Sequence, residues 1–140
     1  MTPVALLPYA DFLGIRIEGT LDDAPLLVMP YSEGLVGAPG ILHGGAIAGL
    51  LEIAAIAAID ATLEGSQDAR SIFKPITVTV DFMRPGRRVD SYACGRVVRV
   101  GGRIANVVVS AWQDDPGRVV ATARMNLAIG TPPGHDYAIE

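Results

Sequence analysis

Residues 39–60 read "PGILHGGAIAGLLEIAAIAAID", and the reading of this stretch decides the fold. It holds one of the chain's two histidines, His43, followed at once by Gly44 and Gly45. An apolar run follows, interrupted in its middle by Glu52. Alanine, leucine, isoleucine and glutamate are all good helix formers, so the run predicts one long helix over residues 44–63. Gly65 and Ser66 supply its stop signal. The run is long enough to cross a bilayer. Against that, a carboxylate at the bilayer centre costs about 2.5–3.5 kcal/mol, and alanine stands where leucine would be expected. The expectation is therefore the buried helix of a soluble domain, with no membrane partner.

The flanks read as strands. Before the helix, "ALLPYADFL" suggests a short helix or turn, "GIRIEG" alternates as a strand does, and "PLLVMP" is a second short apolar run. Residues 31–42 are glycine-rich and read as a loop. After the helix, "ITVTVDF" places Ile76, Val78, Val80 and Phe82 on one face. "RPGRR" is a turn, and "SYACGRVVRV" and "RIANVVVSAWQ" flank a hairpin signal at Gly101 and Gly102. "RVVATARMNLAI" completes the set. Two short strands, one helix and a meander of long strands predict a single α+β domain over residues 1–140. In it a curved antiparallel sheet wraps around one central helix, and residues 1–9 and 131–140 form loose ends. Because the helix is apolar on nearly every side, either strong sheet curvature or a partner chain must cover it.

The 140 residues suit one domain with a proper core. "MTPVALLPYADF" lacks a basic leader region and reads as no signal peptide. A single cysteine, Cys94, allows no disulfide within the chain, and the expected compartment is the reducing cytoplasm. Two distant histidines, His43 and His135, offer no metal site, and no cofactor is expected. Net charge is −4, unevenly placed: residues 70–103 carry eight basic residues against Asp81 and Asp90, a net of +6. That segment is either a solvated face or an anion site for a phosphorylated ligand. Aromatic stacking residues do not interleave regularly with its arginines, which argues against nucleic acid.

The chemistry lies at His43-Gly44-Gly45. The first N–H groups of a helix lack internal partners and sit at the positive end of its dipole. Glycines there either admit an oxyanion or polarised carbonyl to the backbone, or merely let the helix start pack tightly. Glu52 lies eight residues beyond Gly44, about 12 Å along the axis at 1.5 Å per residue. One reacting carbonyl must sit about 3 Å from both groups, so one straight helix cannot supply both. Two antiparallel helices across a two-fold axis can, with Gly44 of one chain facing Glu52 of the other. The alternative for Glu52 is a structural carboxylate, bonded to a loop or turned to solvent.

The segment "GILHGGAIAGLLE", with its carboxylate nine positions after the histidine, resembles the hotdog-fold acyl-CoA thioesterases, in particular the phenylacetate-degradation type and its 4-hydroxybenzoyl-CoA relatives. "ITVTVDFMRPGR" is similar to that family's strand ending in an Arg-Pro turn, and the resemblance covers roughly residues 10–130. It implies thioester hydrolysis with coenzyme A as part of the substrate. The Gly44 amide would polarise the carbonyl beside Gly45, Glu52 would act as nucleophile or as base for water, and His43 would position the thioester or the leaving thiol. Arg84, Arg87, Arg88 and Arg103 become candidates for the CoA phosphates, which suit guanidinium bonding. Thr77 is the nearest match for the family's downstream hydroxyl, with Ser71 second. The family often carries Asn or Gln six residues before the histidine; here that position is Gly37. The implied assembly is a homodimer, pairing further into a homotetramer.

Gly37 favours a second reading, a non-catalytic acyl-CoA or hydrophobic-ligand binder on the same fold. A third, the hydratase or dehydratase branch, fits less well, because there the acid closely follows a Pro-Gly pair, whereas Gly40 and Glu52 are twelve residues apart. The acyl pocket is expected beside the helix, lined by small residues such as Ala54 and Ala55.

Overall fold

The run 44–63 does form one helix, and a sheet is built around it. The computed structural model describes residues 6–63 and 72–130. Its elements are α1 (Pro8–Leu13), β1 (Arg16–Leu21), β2 (Ala24–Met29), a single 3-10 turn (Glu33–Leu35), α2 (Gly44–Leu63), β3 (Ile72–Phe82), β4 (Ser91–Val100), β5 (Ile104–Trp112) and β6 (Ala121–Gly130). The stop signal at Gly65 and Ser66, the alternative hydroxyl Ser71, His135 and residues 1–5 and 131–140 lie outside the described residues.

The six strands form one curved antiparallel sheet in the order β1-β2-β4-β5-β6-β3. This is the α+β architecture expected, a sheet wrapped around a central helix. Period-two alternation turns Ala105, Val107, Val109 and Ala111 of β5 inward, and Ala121, Ala123, Met125 and Leu127 of β6. They meet Leu50, Leu51, Ile53, Ala54, Ala57 and Ile59 of α2 in one core.

The abundance of alanine in α2 has a packing reason. A Cβ built on Gly95 of β4 would stand 3.0 Å from Ala58 Cβ and 3.1 Å from the Ala54 carbonyl oxygen. Helix and sheet approach so closely here that only small side chains fit between them. Helix α1 seats itself the same way: a Cβ on Gly49 would fall 2.8 Å from Leu13 Cδ1.

Strand β3 departs from the expected picture. Val78, Val80 and Phe82 do share a face, but a bulge between Pro75 and Thr77 breaks the alternation at Ile76. The strand begins at Ile72, earlier than its alternation suggested, and runs through Pro75, a residue tolerated at a sheet edge. Since α2 packs chiefly under β2, β4 and β5, the face of β3 is poorly covered. Ile76 is 57% exposed, Val78 40% and Phe82 56%. One edge of this eleven-residue strand pairs with β6, and the other has no partner strand in the sheet.

Candidate active site at the start of the long helix

His43 stands immediately before α2. Its carbonyl accepts from the N–H groups of Ala46 (3.0 Å) and Ile47 (3.2 Å). Its ring Nδ1 accepts from the Gly45 N–H at 2.8 Å. The imidazole thus does what a serine or aspartate usually does at a helix start, satisfying one of the orphan donors. A neutral ring accepting at Nδ1 carries its proton on Nε2. With Gly45 capped by the ring, Gly44 is left: no acceptor engages its N–H among the described residues. The Phe82 ring borders it, 3.3 Å from where a Gly44 Cβ would be.

Two loops hold this turn. In the loop before α2, the His43 N–H donates to the Leu35 carbonyl (2.7 Å) and the Gly37 N–H to the Ile41 carbonyl (3.0 Å), while Val36 and Leu42 form an antiparallel bridge. Gly37 lies directly on His43: a Cβ there would be 2.9 Å from its Cα and 3.1 Å from its Cδ2. Beneath, the β3–β4 connection supplies the Gly86 carbonyl to the Leu42 N–H (2.9 Å). Gly86 has no room for a side chain either, with Ile47 Cδ1 only 3.0 Å from the position of a Cβ.

Glu52 lies on the stripe Gly45, Ala48, Gly49, Glu52, Ile56 and Asp60, which the sheet leaves partly or wholly uncovered. Its carboxylate is half-buried and makes no hydrogen bond or ion pair to a described residue. The separation along the axis from Gly44 remains about 12 Å, so the two groups of one protomer do not converge. Ala54 and Ala55 do not line an open pocket: both are fully buried and packed on Gly95. Gly45 and Ala48 are the small residues that this stripe leaves open, whereas Gly49 is covered by Leu13 and Tyr9 of α1.

Thr77 pairs with Asn126 on β6, in register with the exposed side of the sheet. Residues directly opposite share a face, so Thr77 turns away from α2 and is not brought to Gly44 or Glu52 of its own protomer. The four candidate arginines do not form one patch. Arg103 sits in the β4–β5 hairpin, where its carbonyl accepts from the Ile129 N–H (2.7 Å), at the opposite end of the sheet from Phe82 and Gly44. Arg88 is engaged with Glu33 (2.8 Å) and Tyr31, and Arg87 with Asp114. Arg84 makes no ion pair among the described residues; it lines a hollow of about 330 Å³ with Arg87, Arg118, Gln113, Asp114 and Asp115. Among the described residues no three His, Cys, Asp or Glu side chains gather to hold a metal ion.

Gln113 escaped the sequence reading. Its buried side-chain oxygen accepts from the Arg87 N–H (2.9 Å), and its Nε2 donates to the Arg87 carbonyl (2.8 Å) and the Ser91 hydroxyl (3.2 Å). It staples the β3–β4 connection that carries Gly86. The one available hint was a glutamine closing an apolar strand, which by itself specifies no partner.

The model of the thioesterase superfamily matches residues 39–120, a span that includes His43, Gly44, Glu52 and Gln113. No curated protein matches the chain significantly. Among solved structures, a thioesterase of Haemophilus influenzae superposes with a TM-score of 0.79 at 21% identity, over 92% of this chain and 87% of its own. A phenylacetic acid degradation-related protein of Ralstonia eutropha gives 0.74 at 24% identity, over 89% and 92%. A protein of Chromobacterium violaceum gives 0.69 at 28% identity, over 91% and 86%.

Proposed function

The chain belongs to the thioesterase superfamily and has the hotdog fold, and from that premise we propose that it hydrolyses acyl-CoA thioesters at a site shared by two copies of the chain. One observation carries the reading: among the described residues nothing engages the Gly44 amide at the start of α2, and nothing pairs with the carboxylate of Glu52, which lies too far along the same helix to meet it. Two antiparallel helices would bring Gly44 of one chain to Glu52 of the partner subunit. The unpaired edge of β3 and its exposed apolar face support that assembly, because such an edge is a template for strand pairing, and Phe82 on β3 borders Gly44.

In this site the Gly44 N–H, at the positive end of the helix dipole, donates to the thioester carbonyl oxygen and bears its developing charge. The Glu52 carboxylate either attacks the carbonyl carbon or takes a proton from the attacking water. In the base course water adds, the C–S bond breaks and the proton taken up by Glu52 passes to the departing thiolate. In the nucleophilic course the C–S bond breaks to leave a Glu52–acyl anhydride and a thiolate. Water then hydrolyses the anhydride to the carboxylic acid, regenerating Glu52 and supplying the proton to the thiol. His43 presents Nε2–H as a donor beside the reacting thioester. For the CoA phosphates the candidate is Arg84, which makes no ion pair among the described residues and lies with Arg118 in the hollow that Asp114 and Asp115 also line.

The decisive experiment mixes two dead variants. Glu52→Ala removes the carboxylate; Gly44→Pro removes the N–H at the first helical position, whose backbone suits proline, with the Phe82 ring giving way by a few tenths of an ångström. Thiol release from acetyl-, hexanoyl- and benzoyl-CoA is then compared across both homomers and the purified mixed dimer. One of the mixed dimer's two sites is whole, so it should recover about half of the wild-type rate. A mixed dimer as inactive as the homomers would defeat the shared site. The packing of Gly37 on His43 leaves no side-chain amide there, which favours a second reading, acyl-CoA binding without turnover. CoA-ester binding by the wild type with no thiol release would establish it.

A further inference from the structure

Three residues outside the helix lock the two loops together above Gly86. Arg88, from the β3–β4 connection, donates through Nη2 to Glu33 Oε1 at 2.8 Å and through Nε to the Tyr31 hydroxyl at 3.0 Å. The Tyr31 hydroxyl donates in turn to the same Glu33 oxygen at 3.0 Å. The Arg88 guanidinium also lies over the Tyr31 ring, 5.7 Å from its centroid. One residue pair further along, the Asp90 carboxylate accepts from the Tyr31 N–H at 2.7 Å. Every member therefore has its partners within the triangle, and Tyr31 and Glu33 both lie in the loop that leads to His43.

The path from this clasp to the amide is short. Glu33 opens the 3-10 turn, and Leu35 closes it with its N–H on the Ser32 carbonyl (3.0 Å). The carbonyl of Leu35 receives the His43 N–H, and His43 caps α2 beside Gly44. From below, Gly86 holds Leu42. Loosening either loop would let the His43-Gly44 turn drift with respect to the carboxylate it must oppose.

We propose that Arg88 is a positioning residue for the reaction, acting with Glu33 and Tyr31 to hold the Gly44 amide in place, and not a ligand of the CoA phosphates. The inference rests on the proposed hydrolysis for its kinetic arm only. A guanidinium with its Nε and one Nη already committed has less to offer a phosphate than Arg84, which makes no ion pair among the described residues. The pair is solvent-exposed, with side-chain accessibilities of 52% for Arg88 and 77% for Glu33, so it adds little to global stability. Its effect is local, on a loop end where a displacement of about 1 Å can cost a hundredfold in rate.

The test uses Arg88→Gln, Glu33→Gln and the double variant, each checked for an unchanged unfolding midpoint. Acetyl, hexanoyl and benzoyl thioesters are offered both as CoA esters and as N-acetylcysteamine esters, which lack phosphates. The expected result is a fall in kcat of about tenfold in each single variant with KM little changed. The double variant should lose about tenfold as well, because both changes remove one contact. The loss should be equal for both ester classes. Arg88→Gln raising KM for CoA esters alone, with Glu33→Gln unaffected, would overturn the proposal and make Arg88 a phosphate ligand. A second arm does not depend on turnover: hydrogen exchange at the Leu35 and His43 amides should quicken in both single variants and stay unchanged within α2. Unchanged exchange at those two amides overturns the clasp, whereas a wild type inactive on every ester defeats only the proposed hydrolysis.

Discussion

The Cβ that Gly37 lacks would stand 2.9 Å from the Cα of His43. Real Cβ atoms do not approach backbone so closely, so any side chain at this position displaces the turn that caps α2. The side-chain amide that the family resemblance leads one to expect at this position is therefore excluded here by packing. Gly37→Asn should not restore an amide to the site. It should destabilise the fold by about 1–3 kcal/mol, as overpacking does, and lower thiol release. Chemical denaturation and a thiol-release assay check this; faster turnover at unchanged stability would contradict it.

On the proposed mechanism His43 has two separable duties, the cap of Gly45 and the Nε2 donor. His43→Ala removes the acceptor for the Gly45 N–H and should cost about 1 kcal/mol, the usual worth of a helix cap. His43→Asn supplies a new cap oxygen and should recover most of that stability in urea unfolding. Neither variant restores the Nε2 donor, so hydrolysis should stay depressed in both. Recovery of activity together with stability in His43→Asn would reduce the imidazole to a cap.

Gln113 answers four polar groups at once, the N–H and carbonyl of Arg87 and the carbonyl of Val89 in the β3–β4 connection and the Ser91 hydroxyl at the start of β4. Gln113→Leu would fill similar volume but leave the N–H and carbonyl of Arg87 without partners, a loss of about 1–3 kcal/mol. The urea midpoint measures it. Hydrogen exchange at the Arg87 amide should quicken along with the loss of stability.

Glu33 should titrate below the ordinary carboxylate value of 4.5, because the Tyr31 hydroxyl bonds its charged form first and the Arg88 guanidinium second. Its lowered pKa in the fold means that the clasp is fully made above the ordinary value and is lost as pH falls through the lowered one. Carbon NMR of the Glu33 carboxyl reads the midpoint. In Arg88→Gln that midpoint should move up toward 4.5; no movement would separate Arg88 from Glu33.

Much of the fold was legible because it is written in local periodicity. The bounds of α2 follow from a block of helix formers behind His43-Gly44-Gly45, and the four long strands follow from alternation between turn residues. The oddity of Glu52 could be seen, but its setting could not. A helix apolar nearly all round gives no clue to which stripe a sheet will leave open, and only the packing of β2, β4 and β5 left Glu52 on that stripe. The cluster of basic residues over 70–103 likewise gave no sign of where its members would lie in the fold. Contiguous in sequence, it is divided between two ends of the sheet, since an antiparallel hairpin carries Arg103 away from Arg84, Arg87 and Arg88.

By itself, then, the sequence determined the element order, the central helix and the residue types at its start, because these depend on neighbours within a few positions along the chain. Tertiary structure alone decided which donors and acceptors are already engaged. His43 takes up the Gly45 amide and leaves that of Gly44, Glu33 and Tyr31 occupy Arg88, Gln113 staples the loop below, and the backbone of His43 leaves Gly37 no room for a side chain. The cap of His43 on Gly45 is local, but the contacts of Arg88 and Gln113 join residues 26 to 57 positions apart, which only the folded sheet brings within bonding distance.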